Sequence, residues 1–250
     1  MDKVPGKEKN TEKEGLVLLA AKNFLKTVVA AIMCFIIYIS LSVIIIGMTT
    51  HPIGYTLYEL NEAGEQVIVE EKLFDDTITK APEPGEGQGV ESIMSDPPQA
   101  AMIALNVISQ TIMFIILAVF IVSAMREKGQ RDLTQVKYRG ARQDKLCGLK
   151  IGVLTIIPAF VAYLVLIFSK LTGLMPWYLF AYRYINICFL PIINSVSATA
   201  ALSSEISWVA LLVILLLHLY IPLVCHVSYT MGYKQIFLAD KLMYKKSPKK

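Results

Sequence analysis

Charge is scarce in this chain. Of its 250 residues only 18% are Asp, Glu, Lys or Arg, while 55% are hydrophobic. A soluble domain carries about a quarter charged residues, so this balance excludes a soluble enzyme. Catalytic signatures are missing too: there is no H-E-x-x-H, G-x-S-x-G, Walker loop, G-x-G-x-x-G or C-x-x-C. Without a nucleophile–base pair or a metal-ligand spacing, neither enzymatic activity nor a cofactor or metal is expected. No groove-reading motif is present, which removes nucleic acid as a partner. No N-x-[ST] acceptor occurs, which permits a bacterial origin. The four cysteines, Cys34, Cys147, Cys188 and Cys225, fall in different layers of the apolar pattern, so no disulfide framework is expected.

What the chain has instead is long apolar runs. Residues 27–48, 100–125, 151–169 and 206–227 each supply roughly 20 apolar residues, enough to cross hydrocarbon as a helix at about 1.5 Å per residue. None contains Asp, Glu, Lys or Arg. The first run follows a mixed-charge segment and precedes no A-x-A site, so it reads as a retained anchor rather than a signal peptide. The expected fold is an all-α integral membrane protein: four transmembrane helices, an outer interfacial or re-entrant helix, and a small extracellular β-hairpin loop.

Charge orients the helices. Segments 1–26, 126–150 and 228–250 together hold 20 basic and 8 acidic residues, whereas the connections 49–99 and 170–205 hold 4 basic and 12 acidic ones. Positive loops stay in the cytoplasm, so both termini and the 126–150 loop are expected inside, in a multi-pass plasma-membrane protein. The stretch 177–196 is apolar but contains Arg183, Asn186, Pro191 and Asn194. A fifth crossing there would put the tail lysines outside. It therefore reads as interfacial or re-entrant within the outer segment 170–205, with Trp177, Tyr178, Tyr182 and Tyr184 at the aromatic belt.

The connection 49–99 is the only sizeable polar part. The runs Tyr55–Leu60 and Gln66–Glu70 flank Asn61-Glu62-Ala63-Gly64, a hairpin signal. An isolated hairpin is marginal in water and needs a partner surface. Beyond Asp75 the sequence turns to Pro, Gly and acid, and 75–98 reads as a mobile linker. The loop's acidity could draw cations or a basic partner, but a solvated loop whose acidity helps orient the chain is the preferred reading. In the same way, the basic 126–150 loop and the tyrosine- and lysine-rich tail suit either a soluble subunit or anionic headgroups, or simple orientation with snorkelling lysines.

Polar residues inside the apolar runs are the candidate functional groups. His218 lies well inside the fourth run, with Pro222 four residues on to free a backbone carbonyl. Asn106 and Gln110, one turn apart beside Ser109, form a polar stripe in the second. These three could line a conduit, or be satisfied contacts between helices. Gly148, Gly152, Thr155, Ala159 and Ala162 form a small-residue face that lets another helix approach, within the chain or from a partner.

The run Asp144-Lys145-Leu146-Cys147-Gly148-Leu149-Lys150-Ile151-Gly152, with Tyr229-Thr230-Met231-Gly232-Tyr233-Lys234, resembles uncharacterised multi-pass membrane proteins of clostridial-type Gram-positive bacteria. The resemblance covers the last half of the chain and implies a membrane location, with no activity or site attached. The expectation is a non-catalytic structural or accessory component, contacting the lipid bilayer and either other membrane subunits or a second copy of itself. The alternative is a small transporter or channel-like conduit using His218 and Asn106/Gln110.

Overall fold

The computed structural model describes residues 5–60, 65–75, 80–85 and 87–236. The elements in chain order are α1 (Pro5–Thr49), β1 (Pro52–Leu60), β2 (Gln66–Leu73), β3 (Gln88–Met94), α2 (Gln99–Arg139), α3 (Cys147–Thr172), α4 (Tyr178–Ile185), a 3-10 turn (Ile187–Phe189), α5 (Leu190–Val196), α6 (Trp208–His218) and α7 (Tyr220–Tyr233). Four helical stretches among the described residues are long and apolar enough to cross a membrane: Gly15–Thr49, Gln99–Arg139, Cys147–Thr172 and Trp208–Tyr233. They contain the first three expected runs and all of the fourth but Ile206 and Ser207, and each is longer than expected. Helix α2 continues past Met125 to Arg139, so much of the expected 126–150 loop is helix. The reason is local: Glu127–Arg131 and Lys128–Asp132 form ion pairs at i,i+4, the second at 2.6 Å, and such pairs extend a helix into water. The fourth run is broken at Leu219 into α6 and α7. Pro222 lacks the N–H that the His218 carbonyl would accept, and its ring crowds that carbonyl.

The chain divides into two compact units, Met1–Ile37 with Val107–Lys250, and Tyr38–Asn106. The second holds a three-stranded antiparallel sheet of order β2-β1-β3. The expected hairpin strands pair with Tyr55 opposite Lys72 and Leu60 opposite Gln66; its turn, 61–64, lies outside the described residues. The expected linker at 75–98 requires correction, because Gln88–Met94 forms β3 along the other edge of β1, with Leu57 opposite Val90. The Pro- and Gly-rich stretch before it disguised a run whose Val90 and Ile93 suit a strand. A third strand also meets the need of a marginal hairpin for a partner. Tyr55 is buried against Phe74, with ring centroids 6.3 Å apart, and its hydroxyl donates to Glu70 Oε2 at 3.2 Å. Lys72 lies 2.5 Å from the same carboxylate and holds it below its ordinary pKa.

In the first unit, contacts fix the helix directions. Gly148 and Gly152 of α3 meet Cys225 and Pro222 of α7, the Tyr163 hydroxyl donates to the Leu211 carbonyl at 3.0 Å, and Lys170 Nζ reaches the Ser204 and Ile206 carbonyls at 3.1 and 2.5 Å. Increasing numbers along α3 thus meet decreasing numbers along α7 and α6, and the two runs are antiparallel. On α2, the Phe114 carbonyl accepts from the Tyr220 hydroxyl at 2.7 Å and Gly129 meets Tyr229, so α2 runs with α6 and α7. Asn23 of α1 contacts Met125. Residues 23, 125–129, 147–152 and 225–232 therefore gather at one end of the bundle. The end of α3 and the start of α6 lie together at the other, so the chain between them enters and leaves at the same end. That is a re-entrant path within the bundle.

Candidate functional site

The re-entrant segment turns through 89° between α4 and the helix that follows it. Asn186 occupies the corner, and Pro191, at the start of α5, suits a first turn whose N–H groups lack helical partners. A break of this kind strands backbone donors and acceptors, which is tolerable within a bilayer only where protein satisfies them. Gln110 of α2 does so. Its Nε2 donates to the Cys188 carbonyl at 3.0 Å, and its Oε1 accepts from the Ile192 N–H at 3.4 Å. At the base of the segment, Arg183 Nη2 donates to the Ser197 carbonyl and hydroxyl, both at 3.0 Å, and to the Ala200 carbonyl at 3.2 Å. One guanidinium thereby ties the incoming arm to the outgoing one. Below that base, Glu205 accepts from the Ala201 and Leu202 N–H groups at 2.8 and 3.0 Å. The Leu202 bond first, then that of Ala201, holds its carboxyl below the usual range. Ser207 caps α6 by accepting from the Ala210 N–H at 3.0 Å.

His218 stands beside the corner, 4% exposed. Its Nδ1 lies 2.7 Å from the Ile214 carbonyl and so carries a proton, which leaves Nε2 to accept from the Tyr182 hydroxyl at 3.4 Å. The rings of Tyr163 and Phe189 lie 5.5 and 6.5 Å away. With both ring nitrogens engaged and aromatics around it, His218 bridges α6 and α4. Next to the corner is a cavity of about 160 Å³ whose walls include Thr27 and Ala31 of α1, Thr155 of α3, and Asn186, Cys188 and Phe189 of the re-entrant segment.

The expected site residues thus separate. Gln110 and His218 both serve the re-entrant segment, the first at Cys188 and Ile192 and the second at Tyr182. Asn106, half-buried on the same helix as Gln110, belongs to the other unit. The five small residues all turn inward to this chain's own helices or cavity. A side chain at Gly148 would meet Tyr229 Cβ at 2.7 Å and the Cys225 carbonyl at 2.9 Å; one at Gly152 would meet Pro222 Cα at 2.5 Å. Thr155 donates to the Ile151 carbonyl at 2.8 Å, Ala159 lines the cavity, and the Ala162 carbonyl accepts from the Tyr178 hydroxyl at 3.2 Å.

Two clusters are not marked by the sequence pattern. Asn23, fully buried, donates to Met125 Sδ at 3.2 Å while its Oδ1 has no partner. It precedes the uncharged run that begins at Thr27, although Leu16–Leu25 already shows the apolar majority that would include it. At the same end of the bundle, the Tyr229 hydroxyl donates to Asp132 Oδ2 at 3.0 Å, and Asp144 pairs with Lys150 at 2.6 Å and accepts from the Leu146 N–H at 3.0 Å. Partial burial pushes the Asp144 carboxyl up, and Lys150 together with that N–H more than offsets it, so the group titrates below its ordinary value. These bonds join α2, α3 and α7 where they leave the apolar zone. No group of three or more His, Cys, Asp or Glu able to hold a metal occurs among the described residues. No protein family, curated protein or solved structure matches the chain.

Proposed function

We propose that this is a non-catalytic plasma-membrane component, with four crossings and both termini in the cytoplasm, that assembles with other membrane-protein subunits. The orientation rests on the segregation of charge between segments and on the positive-inside rule. The assembly rests on one observation above others, the isolation of α1. Only 11% of its most apolar stretch is buried, against 28% for α2 and 39% for each of the other two crossings. Val17, Leu25, Val29 and Ile32 stand exposed along it. A helix held so lightly by its own chain is free to pack against another, and van der Waals fit rather than hydrophobicity drives such contacts in lipid. The non-catalytic reading is supported by Gln110, His218 and the Nη2 of Arg183, whose hydrogen bonds go to backbone, to Ser197 and to Tyr182.

The test is chemical cross-linking in native membranes, followed by extraction in mild detergent and mass measurement. A defined species heavier than the 27.8 kDa chain is expected. A monomer that captures no membrane protein would refute assembly.

A conduit remains the second reading, favoured by the broken segment and adjoining cavity, since interrupted helices mark transport sites in membrane carriers. On that reading His218→Leu abolishes pH-dependent flux in liposomes. Flux that is absent, or that the substitution leaves unchanged, removes it.

A further inference from the structure

Cys34 and Cys188 are 154 positions apart in sequence, on α1 and on the 3-10 turn of the re-entrant corner, yet their thiols interact directly as side-chain hydrogen-bond partners. Both are buried, at 0% and 8% exposure, and both are free thiols. The placement agrees with the surrounding geometry. Ala31, one turn before Cys34 on the same face of α1, lines the cavity that Cys188 also lines. Gln110 fixes the backbone of Cys188 through its carbonyl, so this thiol is held on a positioned element. The other two cysteines, Cys147 and Cys225, lie at the end of the bundle where Gly148 and Gly152 meet α7.

The cavity defines which reagents can reach the pair. At about 160 Å³ it matches the volume that accepts one six-membered ring, since an engineered cavity of about 150 Å³ binds benzene. Its walls are mainly apolar. Asn186 spends one amide N–H on the Tyr182 carbonyl at 3.4 Å, and the hydroxyls of Thr27 and Thr155 give their protons to the Phe24 and Ile151 carbonyls at 2.7 and 2.8 Å. The site therefore suits a flat, uncharged ring bearing a few polar atoms and excludes a charged, water-soluble oxidant, for which desolvation is costly.

We propose that Cys34 and Cys188 form a reversible dithiol–disulfide couple, oxidised from within the membrane by a lipid-soluble quinone whose ring enters this cavity. The two S–H bonds break, one S–S bond forms, and the two protons and two electrons pass to the quinone, which leaves as the quinol. A thiol reductant reverses the step. The disulfide ties α1, the least buried crossing, to the re-entrant corner, so oxidation converts a loose helix into a covalently docked one.

The experiment uses the full chain, reduced and reconstituted in liposomes under anaerobic conditions, then incubated with a short-tailed benzoquinone whose ring carbons are all substituted, so that thiols cannot add to it, or with the same concentration of glutathione disulfide. Free thiols are trapped with N-ethylmaleimide and the bridges mapped by non-reducing peptide mass spectrometry, with quinol followed by its absorbance. The quinone should yield a Cys34–Cys188 bridge and one quinol per chain, while glutathione disulfide leaves all four thiols alkylated. Cys34→Ser and Cys188→Ser should each abolish quinol formation, and Cys147→Ser and Cys225→Ser should retain it. Four surviving thiols in the quinone arm, a bridge between any other pair, or equal oxidation by glutathione disulfide overturns the proposal. The bridge map on the unsubstituted chain stands whether or not the variants fold.

Discussion

Close approach of helices at the end of the bundle where Asn23 meets Met125 can be tested one methyl group at a time. Gly129 of α2 and Gly232 of α7 face each other so closely that a Cβ at Gly129 would run into the Tyr229 carbonyl oxygen, and one at Gly232 into the backbone of Arg126. The obstacles are backbone atoms, which no side-chain rotation can move, so the helices must separate. Overpacking typically costs about 1–3 kcal/mol, and contact with backbone belongs at the upper end. Replacing helical Gly by Ala returns about 1 kcal/mol of propensity. Gly129→Ala and Gly232→Ala are therefore each expected to lose about 2 kcal/mol, a roughly thirtyfold shift in the folding equilibrium. At Gly15 and Gly47 on α1 an added Cβ would have nothing within 4 Å, so their Ala variants should gain about 1 kcal/mol. Equilibrium unfolding by sodium dodecyl sulfate in mixed micelles, followed by far-ultraviolet circular dichroism, measures all four. Because the first two positions share one crossing, the double variant should cost less than the sum. If Gly129→Ala and Gly232→Ala unfold at the same detergent fraction as Gly15→Ala, the α2–α7 crossing described above is wrong.

Three further outcomes follow from the same contacts. Gln110→Leu removes both bonds that hold the corner and strands the Cys188 carbonyl, a loss of about 1–3 kcal/mol in the same unfolding assay. Arg183→Met frees the base of the re-entrant segment, and hydrogen exchange should then quicken across 178–200 while α3 stays protected; unchanged exchange there would show that the guanidinium closes nothing. Asp144 has a depressed folded-state pKa, so its stabilisation is present above its unfolded pKa and is lost as pH falls through the folded one. The melting temperature of the unsubstituted protein should converge on that of Asp144→Asn on acidification below the ordinary carboxylate range, and a gap that persists in acid would refute this assignment.

The four long apolar helices are legible in the sequence because twenty apolar residues without charge admit few other readings. Helix ends are less so. Arg126–Arg139 reads as a basic loop in composition and folds as helix through its i,i+4 pairs, which a hydropathy reading ignores. Strand β3 is hidden for a related reason: its pairing partner lies across a Pro- and Gly-rich stretch, and strand pairing is non-local. The polar residues Gln110 and His218 can be singled out by type, since each must find a partner in an apolar setting. Their partners cannot. Cys188 and Tyr182 lie far along the chain, and only the return of the segment between α3 and α6 brings them near. The same return joins Cys34 to Cys188, which the linear pattern assigns to separate layers.

The re-entrant path also sets an order of assembly. During synthesis the N-terminal elements are made first, so Gln110 already exists when Cys188 emerges, whereas His218 is still to be made. The corner can acquire its bonds to α2 early, but Tyr182 must wait for α6, and the pairing of α3 with α7 comes last of all. A nascent chain stalled before residue 206 would hold its corner through Gln110 alone, with the space destined for α6 and α7 unfilled. The segment is thus a late-sealing joint, the part of the protein most exposed to an interrupted biogenesis and the first that quality-control proteases would find unfinished.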